Sequence, residues 1–409
     1  MSGVNQSEML VGLDIGTSKV VVVVAEITSE ENIEIIGLGT QPSRGLRNGV
    51  VVDIESTTQA IKKSILEAES MAGCHISSCY VGISGSHIRG LNSEGVVPIT
   101  GGEVTFGDVD RVIETAQAMA IPADQKLLHV LPRDYIIDKQ NGIKEPLGMA
   151  GARLEAKVHL VTCSENSSQN IRKCVIACGL DIEAFVLEQL ASSYSVLTHD
   201  EKELGVCLID IGCGTTDMAV FTEGSISFTD VISIAGDHVT NDIAEALRTP
   251  PSQAEDIKQR YGCAVSSLTQ SEEMMMVPGM GGRPERELSR EALADVLERR
   301  YVEIFSMAQQ KLSLSGFESL IPAGVVLTGG ASKVEGAIEL GEEVFHAPVR
   351  LGSPNTVGGF NEVIHNPVYA TAVGLLLYGH KQMQEDHMNY IHRDKNVFNR
   401  LSRWLGGNL

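Results

Sequence analysis

Apolar and polar positions in this chain fall into two periods, one suited to strands and one to helices. Leu10 to Glu26 reads LVGLDIGTSKVVVVVAE: an apolar strand, a tight Asp-x-Gly turn and a β-branched strand. A strand at Ile33–Thr40, a loop at Gln41–Gly49 and a helix at Ile54–Gly73 follow, the helix placing Ile61, Ile65 and Ala68 on one face. Strand Ser78–Ser84 comes next. From Gly85 to Val161 the texture changes. Short strands at Gly95–Thr100, Lys126–Val130, Arg133–Asp138 and Leu154–Val161 flank one helix, Phe106–Met119, with Gly and Pro between them. Persistent alternation marks a small α+β insert and not a linker. Because it enters and leaves between elements of one half, it is expected to be a separable unit. Helix Ser167–Cys178, strand Asp181–Leu187 and helix Gln189–Leu197 complete the first half, and charged His199–Glu203 reads as a solvated boundary.

Gly205 to Gly224, GVCLIDIGCGTTDMAVFTEG, repeats the opening pattern. Two copies predict two halves of similar topology, and alternating strands and helices predict an α/β architecture. Beyond it lie strand Ser227–Ile234, helices Asp237–Ala246 and Ser252–Tyr261, and a Met-, Gly- and Pro-rich loop at Glu272–Glu287. A long helix, Ser289–Ser313, repeats Leu293, Leu297, Tyr301, Ile304, Ala308 and Leu312 every three or four residues. Strand Gly324–Thr328 runs into Gly329-Gly330, and a helix starts near Ser332. A small-residue helix spans Asn366–Gly379, and polar His380–Lys395 reads as a flexible linker.

The organisation expected is a first half over 1–84 with the insert at 85–161, completed by 162–198. The second half opens at 199–226, carries a smaller subdomain at 227–301 and continues over 302–365. A return helix at 366–379, a linker at 380–395 and a terminal helix at 396–409 close the chain.

With 409 residues the chain buries a large core without disulfides or structural metals. A composition 43% hydrophobic and 21% charged excludes a mostly disordered chain. The net charge of −21 is repelled by phosphate backbones, so nucleic acid is not an expected partner. No apolar run reaches the ~18 residues that span a bilayer, and Met1–Glu8 lacks a signal-peptide pattern, so a cytoplasmic location is expected. Eight cysteines without a CxxC pair read as reduced thiols. The C-terminus departs from this picture. Val397, Phe398, Leu401, Trp404 and Leu405 fall within an arc of about 120°, with Arg400 and Arg403 outside it. Ile391–Leu409 carries +3, on a body of −24. A basic, amphipathic end on an acidic body reads as a helix lying on an anionic membrane surface, too short to cross it. The alternative is a helix docked on its own domain.

Three segments carry candidate chemistry. In Asp14, Gly16, Thr17, Ser18 and Lys19, Gly16 permits a tight hairpin whose N–H groups and hydroxyls can face phosphate oxygens. Asp210, Gly212, Gly214, Thr215, Thr216 and Asp217 repeat the logic, and Asp14 and Asp210 at strand ends can hold Mg²⁺ through water. Neither is a Walker loop. A third segment, Leu327 to Ser332, has Gly329, Gly330 and Ala331 after a β-branched strand, where a flat ring can lie on the backbone; the alternative is a plain turn with Ser332 as N-cap.

Together these segments resemble the actin-like ATPase superfamily, in which two Asp-Gly hairpins clamp phosphates and a Gly-Gly turn holds adenosine. Within the insert, Val130-Leu131-Pro132-Arg133-Asp134-Tyr135, Pro146-Leu147-Gly148-Met149 and Leu154-Glu155-Ala156-Lys157-Val158-His159 narrow the resemblance, as do Leu190-Ala191-Ser192-Ser193-Tyr194 and Gly236-Asp237-His238-Val239-Thr240-Asn241-Asp242. The chain is similar, over nearly its whole length, to the FtsA family of bacterial cell-division proteins. The resemblance implies ATP with Mg²⁺ as ligand and at most a weak ATPase activity. It implies Gly236 near the nucleotide, Glu255 and Lys258 at ribose and adenine, and Glu188 as a carboxylate that orients water. It further implies self-polymerisation, recruitment of later division proteins and a place on the cytoplasmic face of the inner membrane at the division site. Finally it implies binding of the FtsZ C-terminal tail by the smaller subdomain, where Arg283, Arg286, Arg290, Arg299 and Arg300 make the surface locally basic; the plain alternative there is a solvated helix. An actin-like pilus-assembly ATPase shares an insert of this kind, but the basic amphipathic end argues against it. A sugar kinase would need a sugar pocket with a catalytic carboxylate, which the sequence does not identify.

Overall fold

The computed structural model describes residues 8–28, 32–360, 363, 365–385 and 387. Two five-stranded sheets organise it, and they share one strand order. In the first, Met9–Ile15 lies at the centre. On one side it pairs antiparallel with Lys19–Ile27, which pairs with Ile33–Pro42; on the other it pairs parallel with Ser78–Ile83, then Asp181–Leu187. In the second, Val206–Ile211 takes the central place, with Thr216–Thr222 and Ser225–Ile232 antiparallel on one side and Val325–Thr328 and Val349–Leu351 parallel on the other. The duplicated sequence pattern is thus a duplicated fold, as the α/β reading expected.

Central strands are buried on both faces, which is why they read as unbroken Val/Ile/Leu runs. One apolar cluster joins the halves, from Leu13, Val22 and Ile61 of the first to Val206, Leu208 and Ala219 of the second. A second fills the space under the helix Arg290–Ser315, whose Leu293, Leu297, Tyr301, Ile304, Ala308 and Leu312 are buried as the periodicity predicts.

The insert is a four-stranded sheet with one covering helix, Phe106–Gln117. Its two predicted middle strands are one, Gln125–Ile137, running through Pro132. The chain passes Pro132 by a bulge: Lys157 pairs with Asp134 and Val158 with Pro132, so Arg133 is left over. Proline lacks the N–H for the ladder, and the bulge removes the need for it. The sheet of the insert lies against the edge strand Ser225–Ile232 of the second half. Asn92 donates to Ser227 O at 3.0 Å, and His159 contacts Asn92 Oδ1 at 2.8 Å and Thr229 Oγ1 at 2.9 Å. The insert is therefore bolted to the half opposite its root.

Three local expectations differ. Residues 199–203 are not open boundary: Thr198 and Glu201 form a capping box that starts a helix at His199–Leu204. No helix begins at Ser332; a single 3₁₀ turn, Gly330–Lys333, precedes the helix Ala337–Phe345, and Ser332 donates to Gly329 O at 2.7 Å. The last described helix occupies 370–385, so the first part of the expected linker is helical. The membrane-directed residues Val397, Phe398, Arg400, Leu401, Arg403, Trp404 and Leu405 lie outside the described residues.

Candidate nucleotide site

Each central strand ends in the same turn. Gly16 N–H donates to Lys19 O at 2.9 Å, and Gly212 N–H donates to Thr215 O at 2.9 Å. Neither glycine has a positive φ. What they supply is space, since a Cβ would lie 3.0 Å from Lys19 O at Gly16 and 3.2 Å from Thr215 O at Gly212. The turns face each other: a Cβ on Gly214 would stand 2.6 Å from Thr17 Oγ1. Thr17 Oγ1 accepts the Gly49 N–H at 3.2 Å, and Ser18 lies against Cys213. Thr216, expected among the phosphate-facing groups, spends its hydroxyl on Ile234 O at 2.7 Å.

Between the turns the fold gathers carboxylates. Asp14 and Asp210 are each 8% exposed, and Asp217 is 3% exposed. Burial pushes Asp14 up to about 6, against the pull of Lys19. Burial pushes Asp217 up to about 7, with Asp210 adding to the rise and Ser84 opposing it. Asp210 is raised by burial, opposed by the hydroxyls of Ser192 at 2.7 Å and Thr371 at 3.3 Å. Glu188, the first residue of the helix Glu188–Val196, joins this group; burial and then Asp14, Asp217 and Asp210 raise it well above the carboxylate range. Among the described residues its carboxyl has no hydrogen-bond partner. Lys19 is the cation these carboxylates share, and burial lowers it to about 8. Its Nζ donates to Val368 O at 3.0 Å and stands 4.7 Å over the Tyr369 ring.

Several acids around one ammonium leave negative charge that a divalent cation neutralises, so the donor set fits Mg²⁺. Among the described residues no three His, Cys, Asp or Glu side chains converge closely enough to hold a metal directly.

Gly329 and Gly330 do different work. Gly329 has φ +88°, and a Cβ there would lie 2.3 Å from Asp210 Oδ1. A Cβ on Gly330 would meet nothing nearer than Val368 Cγ2 at 3.7 Å. Gly330 thus presents bare backbone to open space, while Gly329 is required by the fold. Ala331 is fixed by Tyr301, whose hydroxyl donates to its carbonyl at 2.7 Å. Beside it, Gly236 N–H donates to Gly212 O at 3.1 Å, and Lys258 Nζ donates to Gly236 O at 3.0 Å and pairs with Glu255 at 2.7 Å. Gly236, Glu255, Lys258 and Ala331 therefore share one wall next to the second turn.

Ser84, Ser192, Thr371 and His129, which hold this site together, carry no local sequence signal; only Ser84, at the end of a parallel strand, has a position that could have marked it. Arg286, Arg290, Arg299 and Arg300 of the smaller subdomain do not gather into one cluster. Arg290 pairs with Glu273 and Glu335, Arg300 with Asp242 and Glu303, and Arg286 donates to Leu247 O. Arg299 alone lines a cavity of about 340 Å³, with Ser266, Asp295, Glu298 and Val302.

The comparisons agree with this geometry. The family described as "Cell division protein FtsA" matches residues 207–374, and an SHS2 domain inserted in FtsA matches 85–162. A cell division protein FtsA of Pseudomonas aeruginosa is 58% identical, over 100% of both chains. That of Escherichia coli is 46% identical, over 93% of this chain and 92% of its own. In fold, the chain is similar to a structure described as a PilM-PilN type IV pilus biogenesis complex, with TM-score 0.66 and 17% identity over 90% of this chain and 98% of that one. It is also similar to MreB5 of Spiroplasma citri bound to ADP, with TM-score 0.56 and 16% identity over 93% and 99%. At such identities the pilus and MreB likenesses speak for the fold alone, whereas the FtsA relatives are alike in sequence from end to end. This chain, built on the actin-like ATPase fold, belongs to the FtsA family of cell-division proteins.

Proposed function

We propose that this protein binds ATP with Mg²⁺ between its two Asp-Gly turns and tethers FtsZ polymers to the cytoplasmic face of the inner membrane at the division site. The single observation that carries the reading is the pair of equivalent turns, Gly16–Lys19 and Gly212–Thr215, closing on shared carboxylates. Asp14 and Asp210 hold the hydrated metal, and Lys19, Thr17, Ser18, Gly214 and Thr215 face the phosphates. Gly330 and Ala331 support adenosine, with Glu255 and Lys258 at the ribose edge. Glu188 would orient the attacking water with its carboxyl ionised, and turnover is weak.

The amphipathic end from Val397 to Leu405 holds the body on an anionic membrane surface. Arg299, among the described residues without an ion pair and beside a cavity, receives the acidic FtsZ C-terminal tail. The insert supplies contacts for later division proteins, and the protein polymerises with copies of itself. Co-pelleting of the purified chain with anionic liposomes, with and without ATP and FtsZ tail peptide, tests the whole reading. Pelleting that recruits the peptide is the expected result; a chain that stays in the supernatant under every condition refutes the tether.

A further inference from the structure

We propose that Lys202 and Lys381 form a phosphate-binding clamp, with the Tyr194 ring as its wall, at the far end of the C-terminal helix. Lys202 sits on the short helix His199–Leu204 of the second half, and its Nζ stands 4.8 Å from the centroid of Tyr194 and 5.2 Å from that of Phe221. Lys381 comes from the helix 370–385, with Nζ 5.5 Å from the same Tyr194 centroid and 3.5 Å from its hydroxyl. Two ammonium groups from different elements therefore converge on one ring.

The acidic neighbours leave Lys202 under-neutralised. Glu201 turns away, bonding Arg350 at 2.6 and 2.7 Å and capping its own helix. Glu385, which also accepts from Gln382 at 3.0 Å, lies 3.6 Å from Lys381, and against burial Tyr194 and Glu385 hold that amine above its ordinary value. Lys202, half-buried, finds no hydrogen-bond acceptor among the described residues. Ring faces attract a cation but accept no strong hydrogen bond, so three N–H donors remain. Burial and the charge of Lys381 together bring Lys202 down to about 8, as expected of a cation short of an anion. A phosphate oxygen bridging the two amines supplies the missing acceptor and counter-charge together.

Two sources offer this chemistry, a lipid headgroup and a soluble phosphate ester. The first rests on the tether reading above, since the same helix leads into the C-terminal segment; the second does not. The full-length chain, carrying ¹³Cε-lysine, is titrated with sn-glycerol 3-phosphate, and in parallel with vesicles of phosphatidylglycerol and phosphatidylcholine. The Lys202 resonance should move saturably with glycerol phosphate, and Lys381→Met should abolish that movement. On vesicles, Lys202→Met with Lys381→Met should lose about tenfold more affinity than Lys62→Met with Lys63→Met, which removes equal charge from an exposed helix face. Lys202→Arg should keep binding, which separates a lost clamp from a lost fold. A vesicle loss assigns the lipid headgroup as ligand; a saturable shift with vesicle binding equal to the control assigns the soluble ester. No saturable shift, with both double variants alike on vesicles or none binding, overturns the clamp.

Discussion

The imidazole Nε2 of His129 accepts the backbone N–H of Leu187 at 3.0 Å, one residue before Glu188. His129 belongs to the insert and is buried; burial holds it neutral, at about 4. The insert thus fixes the start of the helix that carries Glu188, and Ser84 at its root donates to Asp217. His129→Ala leaves a buried N–H unpaired and should cost about 1–3 kcal/mol. Denaturant melts should show that loss together with altered ATP turnover; full stability and turnover would refute the tie.

The two glycines of the adenosine turn should separate. Gly330→Val puts a side chain into open space and should weaken ATP binding with little effect on melting. Gly329→Val forces a strained φ and a clash with Asp210, so it should unfold the protein or shift its melting by several degrees. Asp210→Ala should lower Mg-ATP affinity strongly. Titration calorimetry beside melting curves reads all three, and unchanged affinity in both Gly330→Val and Asp210→Ala would refute the nucleotide site.

The raised carboxylates set a pH dependence. Asp14 at about 6 and Asp217 at about 7 bind protons in the folded state that the unfolded chain, near 3.8, has released. These two carboxylates therefore take stability from the nucleotide-free protein as pH rises from about 4 to about 7, against the gain from buried His129 and His159, which burial holds at about 4 and which restore stability over about 4 to 6.5. Lys19, lowered to about 8, acts in the opposite sense above that value, where the unfolded chain holds more protons and stability regains with pH. Mg-ATP needs the carboxylates ionised, so binding near pH 6.5 should release protons. Calorimetry in buffers of different ionisation heat measures this, and Asp217→Asn should reduce it.

Arg299→Glu should abolish binding of an acidic FtsZ tail peptide without changing melting, since no ion pair of the described residues is lost. Arg290→Glu breaks contacts with Glu273 and Glu335 and should lower melting instead. Fluorescence anisotropy with the labelled peptide distinguishes them; equal peptide affinity for Arg299→Glu and the parent refutes the pocket.

Trp404→Glu should release the chain from liposomes, because a buried aromatic side chain contributes ~1.5–3 kcal/mol and the new charge opposes insertion. Arg400→Glu with Arg403→Glu should weaken binding to anionic lipid alone, and raised salt should mimic it. A tail docked on its own domain predicts lower melting for Trp404→Glu and unchanged lipid binding.

Both phosphate turns were legible because their chemistry is local: an acid, a glycine and hydroxyls within six residues, between strands apolar on both faces. The partners of those acids were not. Ser84, Ser192 and Thr371 reach Asp217 and Asp210 across 133, 18 and 161 residues, and nothing local ties any of them to those acids. Gly379 misled in the opposite way. It reads as a helix stop, yet the helix continues, and its missing side chain makes room for Tyr80, whose ring carbon would lie 2.4 Å from a Cβ there. Pro132 divided one strand in the sequence that a bulge reunites in the fold.

The insert's seat against Ser225–Ile232 has a counterpart in the first sheet. Its outer strand, Ile33–Pro42, exchanges backbone bonds with Gly358, Ile35 N–H to Gly358 O and Gly358 N–H to Ile33 O, each at 2.9 Å. One outer strand of each sheet thus meets a segment of the opposite half: Ile33–Pro42 meets Gly358, and Ser225–Ile232 meets the insert. An unsheltered outer strand is a template for another chain. Cut at 198, the chain would yield two fragments, each with a raw strand edge and each holding the cover that the other lacks. Complementation of separately expressed fragments, not autonomous folding of either, is the expected behaviour of this interlock.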